Sequence, residues 1–213
     1  YPDGSFKRIT VTNSTVRKLL AIAHTNREHY FQYNRVLLEV KDPSKLVMPD
    51  PDKNTRQAVG EWMRGHTYCY EIMVPRHLSD SISPIMQRDL ARLFPQYRAS
   101  VEKRNVRCLV LVRTSDVDKI KTSGKPVHFS FDFMEASMTN CSIGLLMSHL
   151  NGTRLQHLDT PVVDGTGYSG KLDLTLQGNL SDVETLRQAL HAYDLDLVTR
   201  FMDIDMLVIK DGR

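Results

Sequence analysis

Apolar residues recur along this chain at two spacings, one typical of amphipathic helices and one of half-buried strands. Helical spacing occurs in four places, and strand-like runs flank each of them. The four stripes are Val16, Leu19, Leu20 and Ala23; Met86, Leu90 and Leu93; Ile143, Leu146, Met147 and Leu150; and Val183, Leu186 and Leu190. The pattern predicts a helix-plus-two-strand unit that is repeated four times. Because one such unit cannot hide its apolar face alone, the predicted fold is α+β, with helices packed on mainly antiparallel sheet.

The repeat predicts two pseudo-symmetric halves, over residues 1–115 and 128–213, each built from two units. Residues 116–127 are polar, with a turn at residues 123–126, and are predicted to form an exposed linker loop. Sequence leaves open whether the halves form two subdomains or share one sheet.

Polar residues before the stripes are predicted helix caps: Asn13 or Ser14 for the first helix, Ser83 for the second, and a capping box of Ser181 and Glu184 for the last. One leucine in each helix is expected to occupy an equivalent buried position. These are Leu20, Leu93, Leu146 and Leu190.

The strand-like runs are predicted to form hairpins. Residues 97–101 and 106–112 are separated by a polar turn at residues 102–105, and Arg200 and Phe201 are expected at the tip between the last two strands. A third hairpin is predicted where two apolar runs meet at the glycines of residues 161–176.

That glycine-rich stretch spells G-x-G-x-x-G across Gly165, Gly167 and Gly170. A dinucleotide-binding loop needs a helix after the glycines, whereas residues 171–176 alternate polar and apolar like a strand. An aspartic-protease loop needs contiguous Asp-Thr-Gly, which Gly165 interrupts here. An aspartyl-phosphate loop needs Asp-Lys-Thr-Gly-Thr, and Gly165 stands in the place of that lysine. We therefore expect a structural turn, in which Gly167 and Gly170 adopt conformations unfavourable to other residues and Asp164 hydrogen-bonds within the turn.

Composition and charge narrow the function without identifying it. The 213 residues are 41% hydrophobic and 25% charged, and the net charge of +3 is too small to indicate a nucleic-acid or anionic-membrane partner. No apolar run approaches the roughly 20 residues that span a bilayer. The chain begins Tyr1-Pro2-Asp3-Gly4, without methionine, which suggests a processed protein or a fragment.

Cysteines and histidines give no metal or redox pattern. Cys69 and Cys108 lie in apolar strand-like runs and are predicted to be buried, unpaired and slow to react, while Cys141 lies near a helix start. Neither His24 with His29 nor His149 with His157 has metal-ligand spacing. We predict no metal site and no cofactor.

Several runs carry a resemblance to the soil-associated bacterial family of unknown function. They are residues 9–24, 70–72, 93–98 and 106–112 and, above all, Pro161-Val162-Val163-Asp164 with the following Thr166-Gly167 and Leu172-Asp173-Leu174. The chain departs from that family at Gly165, where lysine is frequent, and in its curtailed first strand. The units also resemble the short N-terminal domain of secretins and TonB-dependent transporters, a binding module. The resemblance implies an extracytoplasmic, cell-envelope protein, with some relatives joined to thioredoxin-like or sensor modules.

The leading hypothesis is a non-catalytic extracytoplasmic interaction domain that binds a protein or peptide at an exposed sheet edge or in a cleft. Tyr168, Arg200 and Phe201 are the candidate contacts.

Two alternatives remain open. One is a hydrolase that uses Asp164 and Asp173 with a histidine such as His149 or His157. The other is a sheet-surface nucleic-acid binder based on a basic stretch beside Tyr97; we prefer to interpret this stretch as a solvated hairpin that guards a sheet edge. Its cations are Arg98, Lys103, Arg104, Arg107 and Arg113.

Overall fold

The structure is a computed structural model that describes residues 7–26, 30–132 and 134–212. The described residues form five α-helices and nine strands, which confirms the α+β class. The helices are α1 (Val16–His24), α2 (Arg56–His66), α3 (Ile82–Leu93), α4 (Ile143–His149) and α5 (Val183–His191). The strands are β1 (Arg8–Thr15), β2 (Val36–Glu39), β3 (Thr67–Met73), β4 (Tyr97–Arg113), β5 (His128–Phe131), β6 (Glu135–Ser142), β7 (Val162–Asp164), β8 (Lys171–Gln177) and β9 (Leu195–Asp211).

The strands form three sheets. β1 pairs antiparallel with β3, and a second antiparallel sheet has the order β5-β6-β8. The third sheet has the order β2-β9-β4-β7, with β2 parallel to β9 and β4 parallel to β7. Parallel pairs therefore lie at the two ends of the third sheet, whereas the pairs in the other two sheets are antiparallel.

The chain divides into two compact units that do not follow sequence order. The first contains the residues up to 31, residues 35–103 and the C-terminal residues from 205; the second contains residues 32–34 and 104–204. The predicted halves, the linker over residues 116–127 and the internal repeat stay predictions.

In the first unit, α1 packs on α3 and on β1. The predicted stripe of α1 is buried at Val16, Leu19 and Leu20. The cap of α1 is Thr15, whose side chain accepts a hydrogen bond from the backbone N–H of Lys18, so the predicted caps Asn13 and Ser14 were wrong. Asn13 instead has a φ of 47° beside a bulge in β1, a conformation that asparagine tolerates better than most residues.

The helix α3 shows a second departure from prediction. Leu93 is 62% exposed, whereas Met86, Leu90 and Phe94 are buried. The helix ends at Leu93, so Phe94 at the C-cap position reaches the core in its place. Ser83 is also not the cap, because the helix begins one residue earlier, at Ile82.

In the second unit, α4 and α5 cover the sheet that contains β8. Leu146 and Leu190 are buried with the alternating Leu172, Leu174 and Leu176, as the patterns predicted. The cap of α5 is Asp182, which accepts from the backbone N–H of Thr185, and not the predicted capping box.

All three predicted hairpins were wrong. β4 and β9 are each continuous strands of 17 residues, so neither the turn at residues 102–105 nor the tip at Arg200 and Phe201 exists. Exposed strand positions tolerate polar residues, and polarity there does not require a turn. β7 and β8 lie in different sheets, so the glycine-rich turn carries the chain from one sheet to another.

Candidate functional site

The glycine-rich turn is built by contacts within the second unit. Asp164 accepts hydrogen bonds from the backbone N–H and the hydroxyl of Thr166, at 2.8 and 2.6 Å, as expected for a structural turn. The N–H of Gly165 donates to the carbonyl of Leu111 at 2.8 Å, which extends the β7 pairing by one residue. Gly167 has a φ of +65°, whereas Gly170 has no positive φ, so only the first of these two conformational predictions is confirmed.

Tyr168 covers this turn instead of projecting from it. The ring is half-buried against the core of the second unit and lies over Gly170. Its hydroxyl contacts a carboxylate oxygen of Asp118 at 3.3 Å. Burial and, secondly, the charge of Asp118 raise the pKa of Tyr168 above its ordinary value. These contacts leave less of the ring available to a partner than the sequence suggested.

Arg200 and Phe201 lie in the middle of β9, and both are exposed. Phe201 is 69% exposed, the highest value among the aromatic side chains of the described residues. They stay candidate contacts, although on a strand and not at a tip.

The residues of the hydrolase hypothesis have structural contacts. Asp173 accepts hydrogen bonds from the backbone N–H groups of Ser123 and Asn140 and from the Ser123 hydroxyl, at 2.7–2.8 Å. These bonds hold the pKa of Asp173 far below its usual range, so the carboxylate stays ionised near neutral pH. Among the described residues, neither Asp164 nor Asp173 forms a hydrogen bond or an ion pair with His149 or His157.

The basic stretch lies on β4. Arg98, Lys103 and Arg107 are exposed, while Arg104 and Arg113 are half-buried. Since β4 is continuous, these cations lie along a strand and not around a hairpin turn.

One cysteine prediction was wrong. Cys69 is exposed on β3, whereas Cys108 and Cys141 are buried. No group of three or more histidine, cysteine or carboxylate side chains in the described part of the chain could hold a metal ion. His29, named in the sequence analysis, lies outside the described residues.

The sheet edges of the structure differ in how well they are protected. An unprotected edge presents unpaired N–H and C=O groups that can pair with another strand. In the first unit, the two-stranded sheet carries the Arg8–Glu71 ion pair, and Glu39 of β2 pairs with Lys210. In the second unit, β7 has only three residues.

The outer edge of β8 is covered by the loop that precedes β5. The N–H of Asp173 donates to the carbonyl of Ile120, the N–H of Thr122 donates to the carbonyl of Lys171, and Lys121 forms a bridge with Leu172. Ile120 is itself buried. The predicted linker loop therefore packs on a sheet edge.

The outer edge of β5 has none of these protections. No described strand pairs with it on the side away from β6, and its four residues contain no lysine, carboxylate or proline. Phe129 is 38% exposed, and Val127 and Met134 beside the strand are exposed as well. An exposed apolar edge strand is the feature of this unit best suited to receive another chain.

The β5–β6 register shows which backbone groups of β5 point outward. The N–H of Asp132 donates to the carbonyl of Glu135 at 2.8 Å, so this is a hydrogen-bonded pair. Such pairs alternate along an antiparallel ladder, so Ser130 with Ser137 is the next hydrogen-bonded pair. The N–H and C=O groups of Phe129 and Phe131 consequently point away from β6, toward solvent.

The side chains of Phe129 and Phe131 lie against α4. Their ring centroids are 4.6 Å apart, and the His149 ring lies 3.6 Å from that of Phe131 and 5.5 Å from that of Phe129. The Nε2 atom of His149 is buried without a hydrogen-bond partner. Burial and, secondly, the positive charge of Arg154 lower the pKa of His149. The cluster is thus aromatic and its imidazole favours the neutral form, which suits it to apolar side chains of an added strand.

Sequence reasoning missed this edge. After Pro126, the run His128-Phe129-Ser130-Phe131 alternates with period two, which is a strand signal. Nothing in that signal indicates whether the strand is central or at an edge.

Comparison of the chain with models of protein families, with curated proteins and with solved structures finds no match. The resemblance to the soil-associated family, and the extracytoplasmic location that it implies, therefore stay predictions. Among the described residues, no helix is both long and apolar enough to cross a bilayer.

Proposed function

We propose that this chain is a non-catalytic, extracytoplasmic interaction domain that binds an extended protein segment by adding it as a strand to β5. The observation that carries the proposal is the outer edge of β5, where outward backbone groups and an apolar aromatic cluster lie together. Strand addition uses backbone hydrogen bonds for affinity and alternate side chains for specificity. The extracytoplasmic location rests on the family resemblance alone.

The geometry specifies the kind of segment that fits. A strand beside β5 would hydrogen-bond to the outward groups of Phe129 and Phe131. Its alternate side chains would lie on the same face as the two phenylalanine rings and His149. A segment with apolar residues at every second position is therefore the expected ligand.

Binding can be tested with short labelled peptides in which apolar and polar residues alternate. The control peptides keep the same apolar residues but have proline in place of the polar residues, and proline cannot donate to a ladder. Fluorescence anisotropy should show binding of the first set only. Hydrogen exchange should then show slower exchange at the amides of Phe129 and Phe131 in the complex.

Two matched variants locate the site. Phe129→Ala removes an apolar contact at β5, and Phe201→Ala removes an exposed phenylalanine from β9. We expect Phe129→Ala to weaken peptide binding about tenfold or more and Phe201→Ala to leave it unchanged. Binding that is lost only in Phe201→Ala would place the contact on β9 and refute the β5 proposal.

A further inference from the structure

The β5 edge is self-complementary, and we propose that its partner is a second copy of this chain, with the two β5 strands paired antiparallel across a two-fold axis. The inference rests on the proposed function, because it names the strand that the edge accepts. It follows from the hydrogen-bonding register, the side chains and the charges of residues 125–132.

The outward backbone groups of β5 select one register. Phe129 and Phe131 carry the outward N–H and C=O groups, as the β5–β6 pairing shows. In an antiparallel self-pair, Phe129 can lie opposite the Phe131 of the second copy. The outward N–H and C=O groups of these two residues then bond to each other, and the two-fold axis repeats the pair. Ser130 then lies on the two-fold axis, opposite itself, at a non-hydrogen-bonded position.

The same register brings compatible side chains together. Directly opposed residues of an antiparallel pair share a face, so Phe129 and Phe131 of both copies form one group of four rings. Phe129, partly exposed in the single chain, would be covered by this contact. The two His149 rings would border the group, one from each copy.

Charges along the segment favour the antiparallel direction. Lys125 lies at its beginning and Asp132 at its end, both exposed. In the proposed register His128 lies opposite the Asp132 of the second copy, where an imidazole N–H can donate a hydrogen bond to the carboxylate. Parallel pairing would instead place like residues side by side at both ends, which is unfavourable for the carboxylates. A closed two-fold pair also uses up both apolar edges, so no further copy can add.

Cysteine cross-linking tests the register directly. Opposed residues at a non-hydrogen-bonded position have Cα atoms about 4.5 Å apart, within the range that a disulfide bridges. In a Cys69→Ser background, which removes the exposed native thiol, Ser130→Cys should form a disulfide-linked dimer under mild oxidation. Thr199→Cys, at an exposed position of β9, should stay monomeric on a denaturing gel.

Charge exchange tests the partner. His128→Asp places aspartates opposite each other in a self-pair, and the double variant His128→Lys, Asp132→Lys places lysines opposite each other, so sedimentation velocity should show each variant largely monomeric at concentrations where the wild type dimerises. An equimolar mixture of the two variants sets a lysine opposite an aspartate at both positions and should recover the dimer. Both side chains are exposed, so circular dichroism should show the wild-type fold.

The outcomes separate this inference from the proposed function. A wild type that stays monomeric at all concentrations, or a Ser130→Cys variant that does not cross-link, overturns the self-pairing. If alternating peptides still bind and Phe129→Ala weakens them, β5 remains a binding edge for another protein. Loss of both self-association and peptide binding refutes both proposals.

Discussion

Gly165 should be less tolerant of substitution than Gly167, although only Gly167 has a left-handed backbone. A methyl group built on Gly165 would overlap the Cγ1 methyl of Val110 and would lie 3.2 Å from the carbonyl oxygen of Leu111. Val110 is buried, and its branched side chain is restricted at χ1, so the overlap requires a shift of the paired strands. We expect Gly165→Ala to lower the free energy of unfolding by about 1–3 kcal/mol.

Gly167 is the matched control, since a methyl group there meets nothing within 4 Å and the cost comes from its φ of +65°. Gly167→Ala should cost about 1 kcal/mol. The assay is urea unfolding, in which a loss of about 2 kcal/mol moves the midpoint by about 1 M. A double-mutant cycle with Val110→Ala should show coupling to Gly165→Ala and none to Gly167→Ala. A neutral Gly165→Ala variant would show that the close approach of the turn to β4 is not a constraint.

Three further predictions concern buried polar groups, histidines and thiols. Asn151 is buried in the second unit and takes part in four hydrogen bonds. Its replacement by alanine should lower the free energy of unfolding by about 2–4 kcal/mol, and an unchanged urea midpoint would contradict this. His24 and His149 have pKa values lowered mainly by burial from an ordinary 6.5, so they favour the neutral form in the folded state. Their contribution to stability is complete above about pH 6.5 and is lost as the pH falls below that value. The urea midpoint should therefore decrease when the pH is lowered from about 7.5 to about 5, and the decrease should be smaller in His149→Phe. Cys69 should react rapidly with a thiol reagent in the native state and Cys108 slowly; equal rates would contradict their burial.

The elements of this fold were largely readable from local pattern. The leucines of α1, α4 and α5 recur at helical spacing, and Leu172, Leu174 and Leu176 alternate, because a residue's burial on one helix or strand depends on its spacing from near neighbours. Helix ends were less readable. Thr15 and Asp182 cap their helices one residue after the predicted positions, since several adjacent polar residues could each supply an oxygen.

Two Thr-Asn dipeptides mark bulges at corresponding places in the chain. Thr12-Asn13-Ser14 and Thr139-Asn140-Cys141 each precede a helix, and both asparagines have positive φ beside a bulge in an antiparallel pair. Asparagine is among the few residues that adopt this conformation readily, so the matching tripeptides indicate two bulges at corresponding places. The recurrence agrees with the predicted repeat, which stays a prediction.

Pairing was decided by the tertiary structure. The polar residues of β4 and β9 resemble turns locally, but in the fold Asn105 donates to Asp203, and Lys210 pairs with Glu102, so both strands continue. The same holds for the candidate site. The alternation of residues 128–131 is a local property, whereas the unpaired outer edge of β5 depends on which strands lie beside it, and the loop that covers β8 comes from far along the chain. Hydrophobic period reports the face on which a side chain lies, and only the contacts between distant segments determine which edges stay open.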